Sequence, residues 1–159
     1  MQYIDESTVA SVLHMADVIP AMRQAMIDYS QGRFSQPQRR ILSVERHGGF
    51  FASMSAVAPE SVGAKLASIE WAGPDAGEVD AATMSNVVIV DSREGACAES
   101  GNIRRFGAEI HAELGELLVG TRPVDPEATV VFDSLGMACQ DTAAAALVFE
   151  KLVGRQDPV

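Results

Sequence analysis

The chain has 159 residues, enough for one domain that buries roughly two thirds of its unfolded surface. Hydrophobic residues make up 47% and charged residues 21%, an ordinary globular balance, and no apolar run approaches the roughly 20 residues of a membrane span. The net charge of −10 argues against nucleic acid as a partner, because phosphate binding requires a basic surface.

In chain order, residues 3–30 read as helical. Val9, Val12 and Leu13 form a short apolar face, and Asp17 is placed to cap a second helix. Pro20 then falls in that helix's first turn, where its missing N–H is not needed. Val18, Met22, Ala25, Met26 and Tyr29 recur at helical spacing, and Gly32 is a stop. A polar stretch ends in Pro37-Gln38-Arg39-Arg40. Residues 41–45 and 50–54 are predicted strands, joined by His47-Gly48-Gly49 as a hairpin turn. Residues 62–71 form a third extended segment, followed by turn chemistry at Gly73-Pro74-Asp75-Ala76-Gly77.

Val87-Val88-Ile89-Val90-Asp91 is a continuous apolar run of the kind found in buried strands. Residues 103–119 are predicted to be one helix, with Ile110, Leu114, Leu117 and Leu118 inward. Residues 123–127 read as a loop, 129–132 as a strand and 142–153 as a long helix. This order predicts a single α/β or α+β domain, a mixed sheet flanked by helices.

Motifs exclude more than they select. There is no G-x-G-x-x-G and no G-x-x-x-x-G-K-[ST], so neither a dinucleotide nor an ATP site is visible, and no cofactor is expected. His14, His47 and His111 lack metal-ligand spacing, so no metal is expected. Cys97 and Cys139 give no disulfide framework and read as small buried hydrophobes; with no basic, apolar start at Met1-Gln2-Tyr3-Ile4-Asp5-Glu6, the chain is expected in a reducing cytoplasm. Lys65 stands alone in the uncharged Val62-Gly63-Ala64-Lys65-Leu66-Ala67-Ser68-Ile69. It reads as an edge-strand lysine that blocks aggregation, or as a pocket lysine for an anion or an imine. Arg39 and Arg40 follow a proline and could grip a carboxylate, although exposed loop arginine is commoner. Asp75 reads as a turn former unless a partner makes it an acid–base group. Asp133-Ser134-Leu135-Gly136 reads as the cap of the last helix, with a retained ligand contact as the alternative.

Several stretches together resemble the ornithine cyclodeaminase/mu-crystallin family. "PQRR", "GGFFASMSA" and "VGAKLASI" resemble its first segment; "GPDAGEVDAA", "VVIVDSREGACAESGNI", "LGELLVG" and "VFDSLGMACQDTAAAALVFEKLV" resemble its last. The resemblance divides the domain into residues 1–69, like the family's substrate and dimerisation segment, and residues 70–159, like its C-terminal segment. Family members carry an inserted dinucleotide-binding unit, whereas here "VGAKLASI" passes almost directly to "EWAGPDAGEVD", a junction near residues 68–70 that resembles an internal deletion. By resemblance Arg39 helps hold a substrate carboxylate with Arg40 as neighbour, Lys65 meets the substrate, and Asp75 handles protons.

These readings combine into an expected function. Without the glycine turn, the chain is expected to be cofactor-independent, and nicotinamide-dependent cyclodeaminase or imine reductase activity is not expected. A pocket of Arg39, Lys65 and Asp75 would bind a small anionic amino, imino or keto acid for imine, enamine, lyase or hydrolase chemistry. A non-catalytic dimeric binding module or scaffold is the alternative. Phe50, Phe51, Trp71 and the strand at 87–90 would expose apolar surface in a monomer, so a homodimer or an assembly of dimers is expected.

Overall fold

The chain folds around two small sheets that share a set of packed helices. The computed structural model describes residues 3–47, 49–69 and 80–154, so Trp71, the 73–77 turn and Asp75 lie outside the described residues. Helix α1 spans Glu6–Val12, and its N-cap is Asp5, whose carboxylate accepts from the Thr8 N–H at 2.8 Å. Helix α2 spans Met15–Ser30 and starts earlier than Asp17 would suggest; its N-cap is His14. Pro20 therefore lies inside the helix, and the Asp17 carboxylate pairs with Lys151 on the last helix instead of capping.

The first sheet is antiparallel, in the order β1 (Arg40–Val44), β2 (Gly49–Val57), β3 (Val62–Ile69), with a short 3-10 turn at Glu45–His47. Alternation divides its faces: Ala52 and Ala56 are buried on the inner side, while Leu42, Val57, Val62 and Leu66 are exposed on the other.

The second sheet is wholly parallel. Strand β4 (Val87–Val90) lies between β5 (Ile110–Glu113) and β6 (Val130–Asp133). Val88, Ile89 and Val90 are all buried, as the continuous apolar run predicts. Helix α3 (Ala81–Met84) precedes β4, and α4 (Arg93–Glu99) and α5 (Gly101–Phe106) lead to β5. One core gathers Met84, Val88, Val90, Ala96 and Ile103.

The single helix expected over 103–119 is three elements. Gly107 adopts a left-handed conformation (φ 60°) and ends α5; residues 110–113 then pair with β4, and α6 (Leu114–Leu118) restarts when the Glu116 carboxylate takes the Glu113 N–H at 2.8 Å. Helix α7 (Ala138–Val153) begins four residues earlier than expected and packs between the inner face of the antiparallel sheet and α2. Among the described residues no helix is long and apolar enough to cross a membrane.

Candidate functional site at the carboxyl ends of the parallel strands

Strands β4 and β6 run side by side, and their carboxyl ends open into a small cleft with a cavity volume of about 30 Å³. The chain leaves β4 toward β5 on one side of the sheet, whereas β6 lies on the other. Their shared carboxyl edge is thus a switch point, where parallel α/β sheets bind ligands. The cleft is lined from three directions: Asp91 and Ser92 follow β4, residues 135–137 follow β6, and Tyr29, Arg39 and Met54 come from α2 and the antiparallel sheet.

Asp91 is 1% exposed, and four donors point at its carboxylate. One oxygen accepts from the Ser134 hydroxyl and the Leu135 and Gly136 amides at 2.8–2.9 Å, and the other accepts from the Ser92 amide at 2.8 Å. The turn that follows β6 is wrapped on this one carboxylate, with Gly136 left-handed at φ 76°. Asp133 accepts from Ser100 and Asn102. The expected helix cap is therefore corrected: α7 is capped at Met137, whose N–H donates to Gln140, while Asp133 and Ser134 bond across to other elements.

Arg39 meets the opposite side of the same turn. Its Nη2 donates to the Leu135 carbonyl at 3.0 Å and the Gly136 carbonyl at 3.2 Å, and its Nε pairs with Glu99 at 2.6 Å. Burial pushes the Glu99 carboxyl up, opposed by the Arg39 charge and reinforced by Asp91. Tyr29 shares a 2.8 Å hydrogen bond with Ser92, and burial raises its hydroxyl's pKa.

The structure brings together only part of the residue set expected from sequence. Arg39 lines the cleft. Arg40, the next residue, is exposed and belongs to the opposite face of the strand. Lys65 is on β3, an edge strand, opposite Met54 in register and paired with Asp141 of α7 at 3.2 Å. Asp75 lies outside the described residues. Asp91, Glu99 and Tyr29 were not singled out from sequence. The only trace of Asp91 there was an acidic residue ending a buried strand just before a Ser-Arg-Glu helix start.

In fold, the chain is of the ornithine cyclodeaminase and alanine dehydrogenase type. It superposes on the Thermococcus litoralis Delta(1)-pyrroline-2-carboxylate reductase in complex with NADH and L-proline with a TM-score of 0.78 at 16% identity, over the whole of both chains. An archaeal alanine dehydrogenase dimer with bound NAD gives 0.83 at 14% identity, over 97% of this chain and 96% of that one. The chain belongs to the ornithine cyclodeaminase/mu-crystallin family, whose model matches residues 61–156. The ketimine reductase mu-crystallin of Macropus fuliginosus is 48% identical over 89 residues, which are 55% of this chain and 28% of that protein. A Delta(1)-pyrroline-2-carboxylate reductase of Bacillus cereus is 40% identical over 81 residues, 45% of this chain and 25% of the relative. The matched stretch is thus about a quarter of these relatives' length.

These relatives overturn the expectation of cofactor independence. They are reductases, and the T. litoralis structure holds NADH. The expectation rested on the missing glycine turn and on the apparent internal deletion near residues 68–70, and neither is a test of the chemistry itself.

The described residues at the cleft nevertheless do not fit a dinucleotide's pyrophosphate. The amides of a phosphate cradle must be open, and here they are taken by the chain's own side chains. Leu135 and Gly136 donate to Asp91, Arg93 to Glu113, Gly95 to Ser92, and Cys139 to Gln36. Asp91, Glu94 and Glu99 add negative charge where phosphates would need the opposite. What the cleft does offer is an arginine with a fixed guanidinium.

Proposed function

We propose that the chain serves imine reduction on small cyclic imino acids, and that this cleft is its carboxylate-binding part. The observation that carries the reading is the placement of Arg39. Two turn carbonyls and Glu99 engage Nη2 and Nε, which fixes the guanidinium plane. Nη1 makes no hydrogen bond among the described residues and is the edge left for an anion. An imine such as Delta(1)-pyrroline-2-carboxylate and its reduced product L-proline both carry the carboxylate that this edge would take. The likeness to a ketimine reductase and a pyrroline-2-carboxylate reductase supports that substrate class.

In this reading Arg39 orients the substrate, and Lys65 contributes positive charge from the sheet face it shares with Met54, a cleft residue. Asp75 would move the proton at the nitrogen. Reduction of such an imine would need a reduced nicotinamide as its hydride donor, and the described cleft has no pyrophosphate cradle to hold one. The apolar outer face of the antiparallel sheet supports a homodimer, and residues 1–69 and 70–159 would act as one domain.

The test is imine-dependent oxidation of NADH or NADPH with Delta(1)-pyrroline-2-carboxylate, beside calorimetric binding of L-proline. Turnover that is lost in Arg39→Ala through a raised KM is the expected result. An imine left unreduced with either nicotinamide, together with no heat from L-proline, would overturn the reading.

A further inference from the structure

Arg39 and Asp91 never touch, yet one peptide group joins them. The peptide between Leu135 and Gly136 donates its N–H to the Asp91 carboxylate at 2.8 Å and accepts from Arg39 Nη2 on its C=O at 3.0 Å. Its dipole points along the line between the buried anion and the half-buried cation, in the orientation both charges favour. The neighbouring peptides repeat the pattern: Leu135 N–H goes to Asp91, and Gly136 C=O receives Arg39 at 3.2 Å. A third donor, the Ser134 hydroxyl, closes the carboxylate's grip on the turn.

We propose that Asp91 is the positioning residue for Arg39, acting through the Ser134-Leu135-Gly136 turn. The turn lies on a loop and carries no regular hydrogen-bond ladder of its own, so its carbonyls point where its amides are held. Three donors of the turn on one buried carboxylate hold them, and the guanidinium plane follows. Asp91 is therefore a specificity element for carboxylate ligands without contacting them. This inference rests on Arg39 being the carboxylate-binding group.

Asp91→Asn keeps the shape and removes the match. An amide oxygen can still accept from the turn, but the NH₂ group must then face the Ser92 N–H, donor against donor. The experiment is calorimetric binding of L-proline and of prolinamide, which lacks the carboxylate. It compares wild type, Arg39→Ala, Asp91→Asn and the double variant.

The expected result is a loss on the order of tenfold in L-proline affinity in Asp91→Asn, the size of one charge-assisted hydrogen bond. Prolinamide binding should not change. In the Arg39→Ala background Asp91→Asn should cost nothing further, because residues that act as a unit are non-additive. If Arg39→Ala leaves L-proline binding intact, the reading of the cleft itself fails. Where Arg39→Ala abolishes binding while a folded Asp91→Asn retains it, only the positioning role fails. Equal losses for proline and prolinamide, or additive losses in the double variant, would make Asp91 a structural residue and overturn the inference. Should Asp91→Asn not fold, Ser134→Ala replaces it in the same cycle, since it removes one of the four donors and keeps both turn amides on the carboxylate. A several-fold loss that vanishes without Arg39 is then expected, and an unchanged affinity overturns the proposal.

Discussion

Lys65 and Asp141 form an ion pair of 3.2 Å between β3 and α7, and both side chains are close to half exposed (46% and 41%). Solvent screens such a pair, so it contributes about 0–1 kcal/mol to stability. The lysine therefore has little structural reason to be irreplaceable. Lys65→Ala should leave the thermal midpoint nearly unchanged while weakening L-proline binding, as the proposed contribution of its charge requires. Calorimetry beside a melting curve separates the two effects. A large fall in the midpoint with binding intact would return Lys65 to the role of a packing and edge-protecting residue.

Two glycines mark where helices approach other elements more closely than a side chain permits. A Cβ on Gly115 of α6 would run into the Met26 carbonyl and the Ser30 side chain of α2. On Gly63 of β3 it would meet the Thr142 hydroxyl of α7 at 2.7 Å. Overpacking of this kind costs about 1–3 kcal/mol. The backbone carbonyl facing Gly115 cannot rotate away, whereas the threonine facing Gly63 can. Gly115→Ala should therefore lower the urea midpoint more than Gly63→Ala. The reverse order would show that α6 shifts on α2 more easily than α7 does on the sheet.

The two cysteines should behave differently toward thiol reagents. Cys97 is exposed, while Cys139 is fully buried at the start of α7, where burial pushes its thiol up to about 12. The thiolate is the reactive species, so in the native protein Ellman's reagent should label Cys97 promptly and Cys139 only on unfolding. Prompt modification of both in native buffer would mean that the start of α7 opens readily.

How much of this was legible in the sequence differs by element. The 87–91 run read correctly because a strand buried on both faces needs no alternation to betray it. The 103–119 segment did not, because its apolar residues satisfy a helical period while Gly107 and a four-residue strand interrupt it, and the pairing partner of that strand is in another part of the chain. The Asp-Ser turn before α7 looked like a cap because those residues favour caps, yet both side chains bond to groups 31 to 43 positions away. Arg39 stood in the sequence as one of two arginines after a proline, and only the family resemblance set it apart from Arg40. Its partner Glu99, and Asp91 across the turn, were not legible at all, because nothing local in a sequence states that a loop carbonyl will lie between two charges.

The outer face of the antiparallel sheet carries Leu42, Val57, Val62 and Leu66 at 51–74% exposure. Large apolar side chains this exposed on one sheet face, even interspersed with Arg40, Ser53 and Ser55, mark an interaction surface. A two-fold pairing of this face is the proposed dimer contact, and light scattering should return twice the chain's mass. Leu66→Glu would place a charge near the middle of that face and is expected to give a monomer with its near-ultraviolet spectrum retained. A dimer that persists in Leu66→Glu would move the contact to another surface.

Glu99 gives the site a pH dependence whose sign is fixed by its surroundings. Burial raises its carboxyl, Asp91 raises it further, and Arg39 opposes both. A raised folded value means that the folded protein holds this proton more tightly than the unfolded chain does. The stability contributed is then fully present below the ordinary carboxylate range and is lost as pH rises through the folded value. Protonation also withdraws the negative charge that lies 2.6 Å from Arg39 Nε and competes with any ligand carboxylate. L-proline affinity should therefore rise as pH falls from neutral toward the carboxylate range, while the ligand's own carboxyl remains ionised. Glu99→Gln keeps an acceptor for Nε and removes the titration. Its affinity should be higher than wild type at neutral pH and flat across the same range, and its stability at neutral pH should be no lower. Binding isotherms for the two proteins at matched pH values decide the matter. An affinity that falls on acidification in wild type, or a pH slope that persists in Glu99→Gln, would show that Glu99 does not compete for Arg39.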